Sequence, residues 1–160
     1  MITKLPALAA LLLAVALSAC DNAASSEPTG SEMANPPNLA GTWSWVELVT
    51  DASGVCADEI NDLDTDQVSI AQSGSTLALT GLIGDPTATL QGLIYPPQGA
   101  ELARIKLSGG FPEDGGSTTV QEGSWIKVIK ADSLDGSEIW RWAGTAQSCT
   151  GVTKVAAKKN

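Results

Sequence analysis

The sequence predicts an all-β fold, a small antiparallel up-and-down barrel of about eight strands. Three observations predict it: short apolar segments alternate with polar residues, turn residues separate these segments, and the folded part shows no convincing 3.6-residue apolar period of a helix. A β-sandwich is the alternative, because the same strands and turns suit both architectures. With 160 residues, of which 43% are apolar and 17% charged, the chain has the size and composition of one folded domain.

The strands are predicted from alternation and from the turns between them. Residues 68–70 and 77–79 alternate on either side of the turn sequence at 72–75, which predicts a hairpin. The one candidate helix lies at residues 57–63. Clusters of Pro and Gly separate the remaining segments. Those segments are 42–49, 87–95, 102–108, 117–130 (long enough for two strands), 137–144 and 150–156.

The amino terminus has the pattern of an export signal. Lys4 supplies a positive charge, and residues 5–16 are apolar but shorter than the ~20 residues that a spanning helix needs. The segment Leu-Ser-Ala-Cys at 17–20 resembles the lipobox of bacterial lipoproteins. In that family the Cys thiol receives a diacylglycerol and the signal peptide is cleaved before it. The alternative is an ordinary signal whose cleavage region holds a Cys.

This resemblance implies that residues 1–19 are a signal peptide and that Cys20 carries lipid. The protein would then be anchored in the bacterial cell envelope, facing the periplasm from the inner or the outer membrane. Two or more acyl chains hold a protein stably, whereas one holds it only marginally. Residues 20–38 are expected to be a flexible tether, because they are rich in Ser, Ala, Pro and acids. The β-barrel domain is predicted to span residues 39–160.

The two remaining cysteines are Cys56 and Cys149. An exported protein meets an oxidising compartment, so this even pair predicts a disulfide bond. The bond would tie the loop after the first strand to the end of the barrel. Two buried free thiols are the alternative.

Five tryptophans supply most of the aromatic side chains. Two pairs, at 43 and 45 and at 140 and 142, each place both indoles on one face of a predicted strand. In a closed barrel the first and last strands are neighbours, so we expect the rings to meet in one patch that either fills the core or binds a ligand or partner. Trp125 is expected to be a core or strand-face residue. The candidate ligand or docking patch is Trp43, Trp45, Trp140, Arg141 and Trp142.

Residues 39–43, Leu-Ala-Gly-Thr-Trp, resemble the Gly-x-Trp opening of the first strand in lipocalins and avidin-type barrels, the calycin group. In lipocalins an Arg from near the end of the barrel packs on that Trp, and the resemblance implies Arg141 for this role. If Arg141 points inward, Trp140 and Trp142 point outward, and the reverse holds. The resemblance implies a fold and no ligand.

Charge and composition exclude several classes of function. Eighteen acidic against nine basic residues give a net charge of −9, which argues against a nucleic-acid partner. The absence of His excludes Ser-His-Asp and Cys-His catalysis and every His-containing zinc site. The spacing of Asp62, Asp64 and Asp66 is that of the first half of a calcium loop, but Gln67 replaces the Gly of the sharp turn. We expect a solvated acidic loop there, no other metal site and no cofactor.

The sequence therefore favours an envelope lipoprotein with a non-catalytic barrel that binds a small apolar ligand or an envelope component. A protease-inhibitor-like protein is the first alternative. Small periplasmic barrel inhibitors of bacterial metalloproteases resemble the chain in their Leu-Ala-Gly-x-Trp first strand and single disulfide. A hydrolase that uses only carboxylates is the second, and it is the least favoured because nothing in the sequence selects one acidic pair.

Overall fold

In the part of the chain that the structure describes, nine β-strands form where apolar and polar residues alternate between turn sequences. The structure is a computed structural model that describes residues 30–113 and 115–160, so the predicted signal peptide and Cys20 lie outside the described residues. The strands are β1 Gly41–Ala52, β2 Leu63–Ser73, β3 Thr76–Thr80, β4 Thr89–Tyr95, β5 Ala103–Glu113, β6 Gly116–Val120, β7 Trp125–Lys130, β8 Ser133–Ala143 and β9 Ser148–Lys159.

Two short 3-10 helices lie between strands, at Gly54–Glu59 and Leu82–Gly84. The first overlaps the helix candidate at 57–63 but begins three residues earlier. Among the described residues, no helix has both the length and the apolar character needed to cross a membrane.

The strands close into a barrel. Each pairs antiparallel with a neighbour, and β9 returns to β1 with Lys159 opposite Trp43. Both β6 and β7 lie between β5 and β8, so they share one position and the ring has eight positions. The predicted eight-strand up-and-down barrel is confirmed, as is the division of residues 117–130 into two strands.

A buried serine joins the two halves of the divided position. At the break between β6 and β7, Gln121 N donates to Ile139 O of β8 at 2.7 Å, and the side chain of Ser124 bonds to the same residue. Its Oγ accepts a hydrogen bond from Ile139 N at 2.7 Å and donates one to Ile139 O at 3.0 Å. Leu107 N also donates to Ser124 O at 3.1 Å. The ladder therefore continues across the break.

The core lies on the inner face of the strands. Alternation is clear in β9, where Val155 and Ala157 are buried while Lys154 and Ala156 are exposed. Burying one large apolar side chain stabilises a fold by about 1.5–3 kcal/mol. Side chains with no exposure include Leu39, Trp43, Trp45, Val68, Leu77, Leu90, Ile94, Ile126 and Val128.

The end of the barrel where β1 starts and β9 finishes is covered by the chain before β1, and we call it the closed end. Met33 packs against the core, and its N–H donates to Ile94 O at 2.8 Å. The Gln72 side chain accepts from Leu39 N at 2.7 Å and donates to Pro37 O at 3.0 Å. The last residues of the segment expected to be a tether thus contact the barrel.

The opposite end, which we call the open end, carries the disulfide. Cys56 in the first 3-10 helix is bonded to Cys149 in β9, and 93 residues separate the two in the chain. Both are buried. The predicted disulfide is confirmed, and it fixes the β1–β2 connection to the wall of the barrel.

Candidate functional site

A cavity of about 360 Å³ occupies the open end of the barrel. Its lining combines aromatic rings with carboxyl groups, whereas the closed half of the barrel is filled by apolar side chains. The aromatic lining residues are Phe111, Trp140 and Trp142. The acidic lining residues are Glu47, Glu59, Asp64, Glu113 and Glu138.

The alternation of β8 turns three side chains toward this cavity. Glu138, Trp140 and Trp142 are two residues apart along the strand and all line the cavity. Arg141 lies between the two tryptophans and is exposed on the outer face. The orientation that the sequence left open is therefore resolved with both indoles inside.

Trp140 is held in the wall by β9. Its Nε1 donates to Thr153 Oγ1 at 3.0 Å, and its ring lies against Gly151, its register partner. A Cβ atom at Gly151 would come within 2.2 Å of Trp140 Cζ2. The ring occupies its position because this residue has no side chain.

Trp142 is fixed in a similar way on the other side. Its Nε1 donates to Glu113 O at 3.0 Å. Cβ atoms at Gly116 and Gly144 would each come within 2.6 Å of its ring. Both indole N–H groups are thus bonded within the wall, while the rings stay partly exposed at the cavity.

The other tryptophan pair lies elsewhere. Trp43 and Trp45 have no exposed surface and belong to the core of the closed half. Trp45 of β1 and Leu134 of β8 pair with the same residue of β9, so they lie at the same height in the barrel. Trp140 is six residues farther along β8, which is about 20 Å at the usual rise per residue. The expectation of a single patch of four rings is wrong, because β9 separates the two strands and the pairs are staggered.

The implied contact between Arg141 and Trp43 is also wrong. The cation over the Trp43 ring is Lys159, whose Nζ is 5.9 Å from the ring centre. A closer cation–π pair lies on the outer face, where the Arg104 guanidinium is 4.0 Å from the centre of Trp125. Trp125 is therefore a buried residue on an outer strand face.

Glu47 lies on β1 at the boundary between the core and the cavity. Its Oε1 accepts a hydrogen bond from Trp45 Nε1 at 3.0 Å. Burial raises the pKa of Glu47 to about 7, against the opposing effect of the Trp45 bond and with further increases from Asp66, Asp64 and Glu113. A substantial share of this carboxyl is protonated at neutral pH.

Glu138 is the most enclosed acid of the site. It is 6% exposed, and its Oε1 is buried without a hydrogen-bond partner. Burial, with a smaller contribution from the nearby Glu47, raises the pKa of Glu138 to about 8. Burial thus favours the uncharged form of both Glu47 and Glu138.

The calcium candidates do not form a calcium loop. Asp64 and Asp66 lie within the extended strand β2, and Asp62 directly precedes it. Among residues 30–113 and 115–160, no group of three or more Asp, Glu, Cys or His residues is arranged to hold a metal ion.

Reasoning from the sequence missed Glu47 and Glu138. A usable signal was present, because Glu47 is two residues after Trp45 and Glu138 is two residues before Trp140. Strand alternation places each acid on the same face as its tryptophan. Burying the indoles inside the barrel therefore also turns these acids inward.

Comparison of the chain with known protein families, curated proteins and solved structures finds no match.

Proposed function

We propose that the protein is a non-catalytic binding module that takes one small molecule into the open end of its barrel. The observation that carries the proposal is the cavity of about 360 Å³ with Trp140 and Trp142 in its wall. Small-molecule sites are usually concave, of roughly 300–1,000 Å³, and lined by aromatic side chains with a few polar groups. The aromatic and acidic lining of this cavity fits that description.

The contrast between the two tryptophan pairs supports a ligand. Trp43 and Trp45 are on the inner face and fully buried, whereas Trp140 and Trp142 are on the inner face and still partly exposed. The difference is unfilled space beside the second pair. A ligand with an apolar body would cover these rings and gain the burial that the protein alone leaves incomplete.

The test is a titration of the purified full chain with a panel of small aromatic and aliphatic compounds, followed by calorimetry and intrinsic Trp fluorescence. We expect at least one compound class to bind and to shift the emission. Trp142→Ala should weaken binding at least about tenfold, and Val120→Phe should block the space. Arg141→Ala is the matched control on the outer face of the same strand and should leave binding unchanged.

Absence of binding across the panel would overturn the proposal. Conversion of a compound to product in the same incubations would replace it with the carboxylate-only hydrolase, since Glu47 and Glu138 are the acids such chemistry would use. The protease-inhibitor alternative would require residues 32–39 to leave the closed end before they entered a partner's cleft.

The membrane anchor is part of the same proposal. Its support is the resemblance of residues 17–20 to a lipobox, with Cys20 as the lipidated residue. Expression in a bacterial host with a radiolabelled fatty acid should label the protein and place it in the membrane fraction. Cys20→Ser should lose both the label and the membrane association. Equal labelling of the variant would contradict the anchor.

A further inference from the structure

Negative charge surrounds the cavity on several sides. The lining acids come from β1, β2, β5, β8 and the first 3-10 helix, and none of the described lining residues is Lys or Arg. Strand β9 also borders the cavity, and its lining residue there is Thr153, which does not titrate. Asp66 on β2 adds a further carboxyl that acts on Glu47. The buried pair of the cavity is Glu47 and Glu138. The acids that line the cavity or act on this pair are Glu47, Glu59, Asp64, Asp66, Glu113 and Glu138.

Two atoms in this group are buried without a hydrogen-bond partner, Asp66 Oδ2 and Glu138 Oε1, and the second belongs to a residue that lines the cavity. Nearly all buried polar atoms in folded proteins have a partner. Two other acids of the lining are hydrogen-bonded within the protein, since Glu47 accepts from Trp45 and Glu113 accepts from Thr118. The free acceptor of Glu138 therefore marks a place for a donor that enters the cavity.

We propose that the ligand is a primary organic amine, with its ammonium group at Glu138 and Glu47 and its apolar body against Trp140 and Trp142. This inference rests on the proposed function and names the chemical class that the site takes. An ammonium group brings three donors and no acceptor, which matches carboxyl oxygens surrounded by other carboxyl groups. Indole rings beside the same position attract a cation through their faces.

A metal ion fits the site less well. Calcium needs six to eight oxygen ligands around one point. Within the described part of the chain, no three acidic side chains converge in that way. The acids of this cavity are spread around its wall and share it with indole rings, an arrangement that suits an elongated organic cation.

Binding of an amine should be accompanied by proton release and should depend on pH. Burial favours the protonated form of the two buried acids, with pKa values of about 7 for Glu47 and about 8 for Glu138. A bound ammonium stabilises the ionised carboxylates, so binding must release protons. Affinity for an amine should rise between pH 6 and pH 8 as the carboxyls ionise, whereas affinity for a neutral compound should not.

The experiment is calorimetry of the full chain with three pairs of probes, each an amine and the alcohol of the same skeleton: 2-phenylethyl, 2-(indol-3-yl)ethyl and octyl. At pH 8 we expect at least one amine to bind about tenfold or more tighter than its alcohol. Repeating the titration in buffers of different ionisation enthalpy should reveal proton release for the amine alone.

Glu138→Gln should remove the preference for the amine and the proton release while leaving the alcohol's affinity within about twofold, because the amide keeps the shape of the acid. The exposed Glu122→Gln variant is the matched control and should behave as the wild type. Circular dichroism of both variants establishes that they are folded.

The outcomes separate this inference from the proposed function. Alcohols that bind as tightly as their amines would overturn the amine and leave the binding module intact. Absence of binding by all six probes and by the wider panel would overturn both. A third outcome would favour a metal site and overturn the inference. It is that amines bind no more tightly than their alcohols and that millimolar calcium chloride displaces the bound amine.

Discussion

Trp45 Nε1 donates a hydrogen bond to Glu47 Oε1 at a distance of 3.0 Å, and this bond joins the closed half of the barrel to the half that holds the cavity. The tryptophan has no exposed surface, while the carboxyl group lines the cavity. The bond favours the ionised carboxylate and burial favours the neutral acid. Burial has the larger effect, so the pKa of Glu47 rises to about 7.

The first prediction concerns the pH dependence of stability. Because the pKa of Glu138 is raised to about 8 in the folded state, its contribution is fully present below the unfolded pKa near 4.5 and is lost as pH rises through about 8. The free energy of unfolding should therefore fall between pH 5 and pH 9. Glu138→Gln should be more stable than the wild type at pH 9 by at least about 2 kcal/mol.

Urea denaturation at both pH values measures this difference. Glu122→Gln removes an exposed acid and should follow the wild type. If Glu138→Gln lost stability at pH 9 relative to the wild type, Glu138 would not be a buried acid that carries an ionisation cost.

The second prediction concerns the glycine behind Trp140. Gly151→Ala places a methyl group in the space of the indole and should lower the free energy of unfolding by about 1–3 kcal/mol. It should also change Trp emission and weaken any ligand of the cavity. Ala156→Val adds methyl groups to the exposed face of the same strand and serves as control. Equal stability of the two variants would mean that the ring does not rest on Gly151.

The third prediction concerns the disulfide. Replacing Cys56 and Cys149 together by Ser removes a cross-link between residues 93 positions apart in the chain. By limiting the entropy of the unfolded chain, a cross-link of this span stabilises a fold by about 4–5 kcal/mol. Denaturation of the wild type with and without reductant should show a comparable loss. Two thiols at these positions that react with an alkylating agent in the native protein would disprove the bond.

The fourth prediction concerns the outer face. Arg104 lies over Trp125 and forms an ion pair with Glu101, and both members of that pair are nearly buried. Arg104→Ala should lower the free energy of unfolding by about 1–3 kcal/mol, because it removes the cation from the Trp125 ring and from a carboxylate that keeps the Gln98 N–H. The exposed Arg141→Ala should change it by less than about 0.5 kcal/mol. Thermal unfolding of both variants distinguishes the two arginines.

The fifth prediction concerns the cover of the closed end. The Gln72 side chain bonds to Leu39 N, Pro37 O and Gly74 O, so Gln72→Ala should release the segment before β1 at a cost of about 1–3 kcal/mol. Hydrogen exchange should then become faster at Leu39 while the amides of β9 keep their protection. Unchanged exchange at Leu39 would show that Gln72 does not hold the segment.

Alternation and turn residues were sufficient to predict the strands, but they suit a sandwich as well as a barrel, and the barrel was preferred because of the two tryptophan pairs near the ends of the chain. The same period of two that defines the strands also indicates which residues share a face, and the two cysteines left after Cys20 were enough to predict the disulfide. These features depend on local sequence and on compartment, both of which one chain contains.

The face of β8 that points into the barrel could not be predicted, because both faces carry apolar residues. Trp140 and Trp142 alternate with Ile139 and Ala143, so hydrophobicity does not distinguish the inside from the outside. The choice depends on the glycines of neighbouring strands, which give the rings room. Such contacts join residues far apart in sequence, and for the same reason the acids of the cavity were not identified.

The segment that leads into β1 crosses the closed end, and the cavity lies at the opposite end. If Cys20 carries the lipid that we propose, the chain from the membrane would meet the barrel at its closed end. A lipid at Cys20 would then join the barrel at the end farther from the mouth of the cavity. Loading and emptying would then require neither detachment from the membrane nor passage through it.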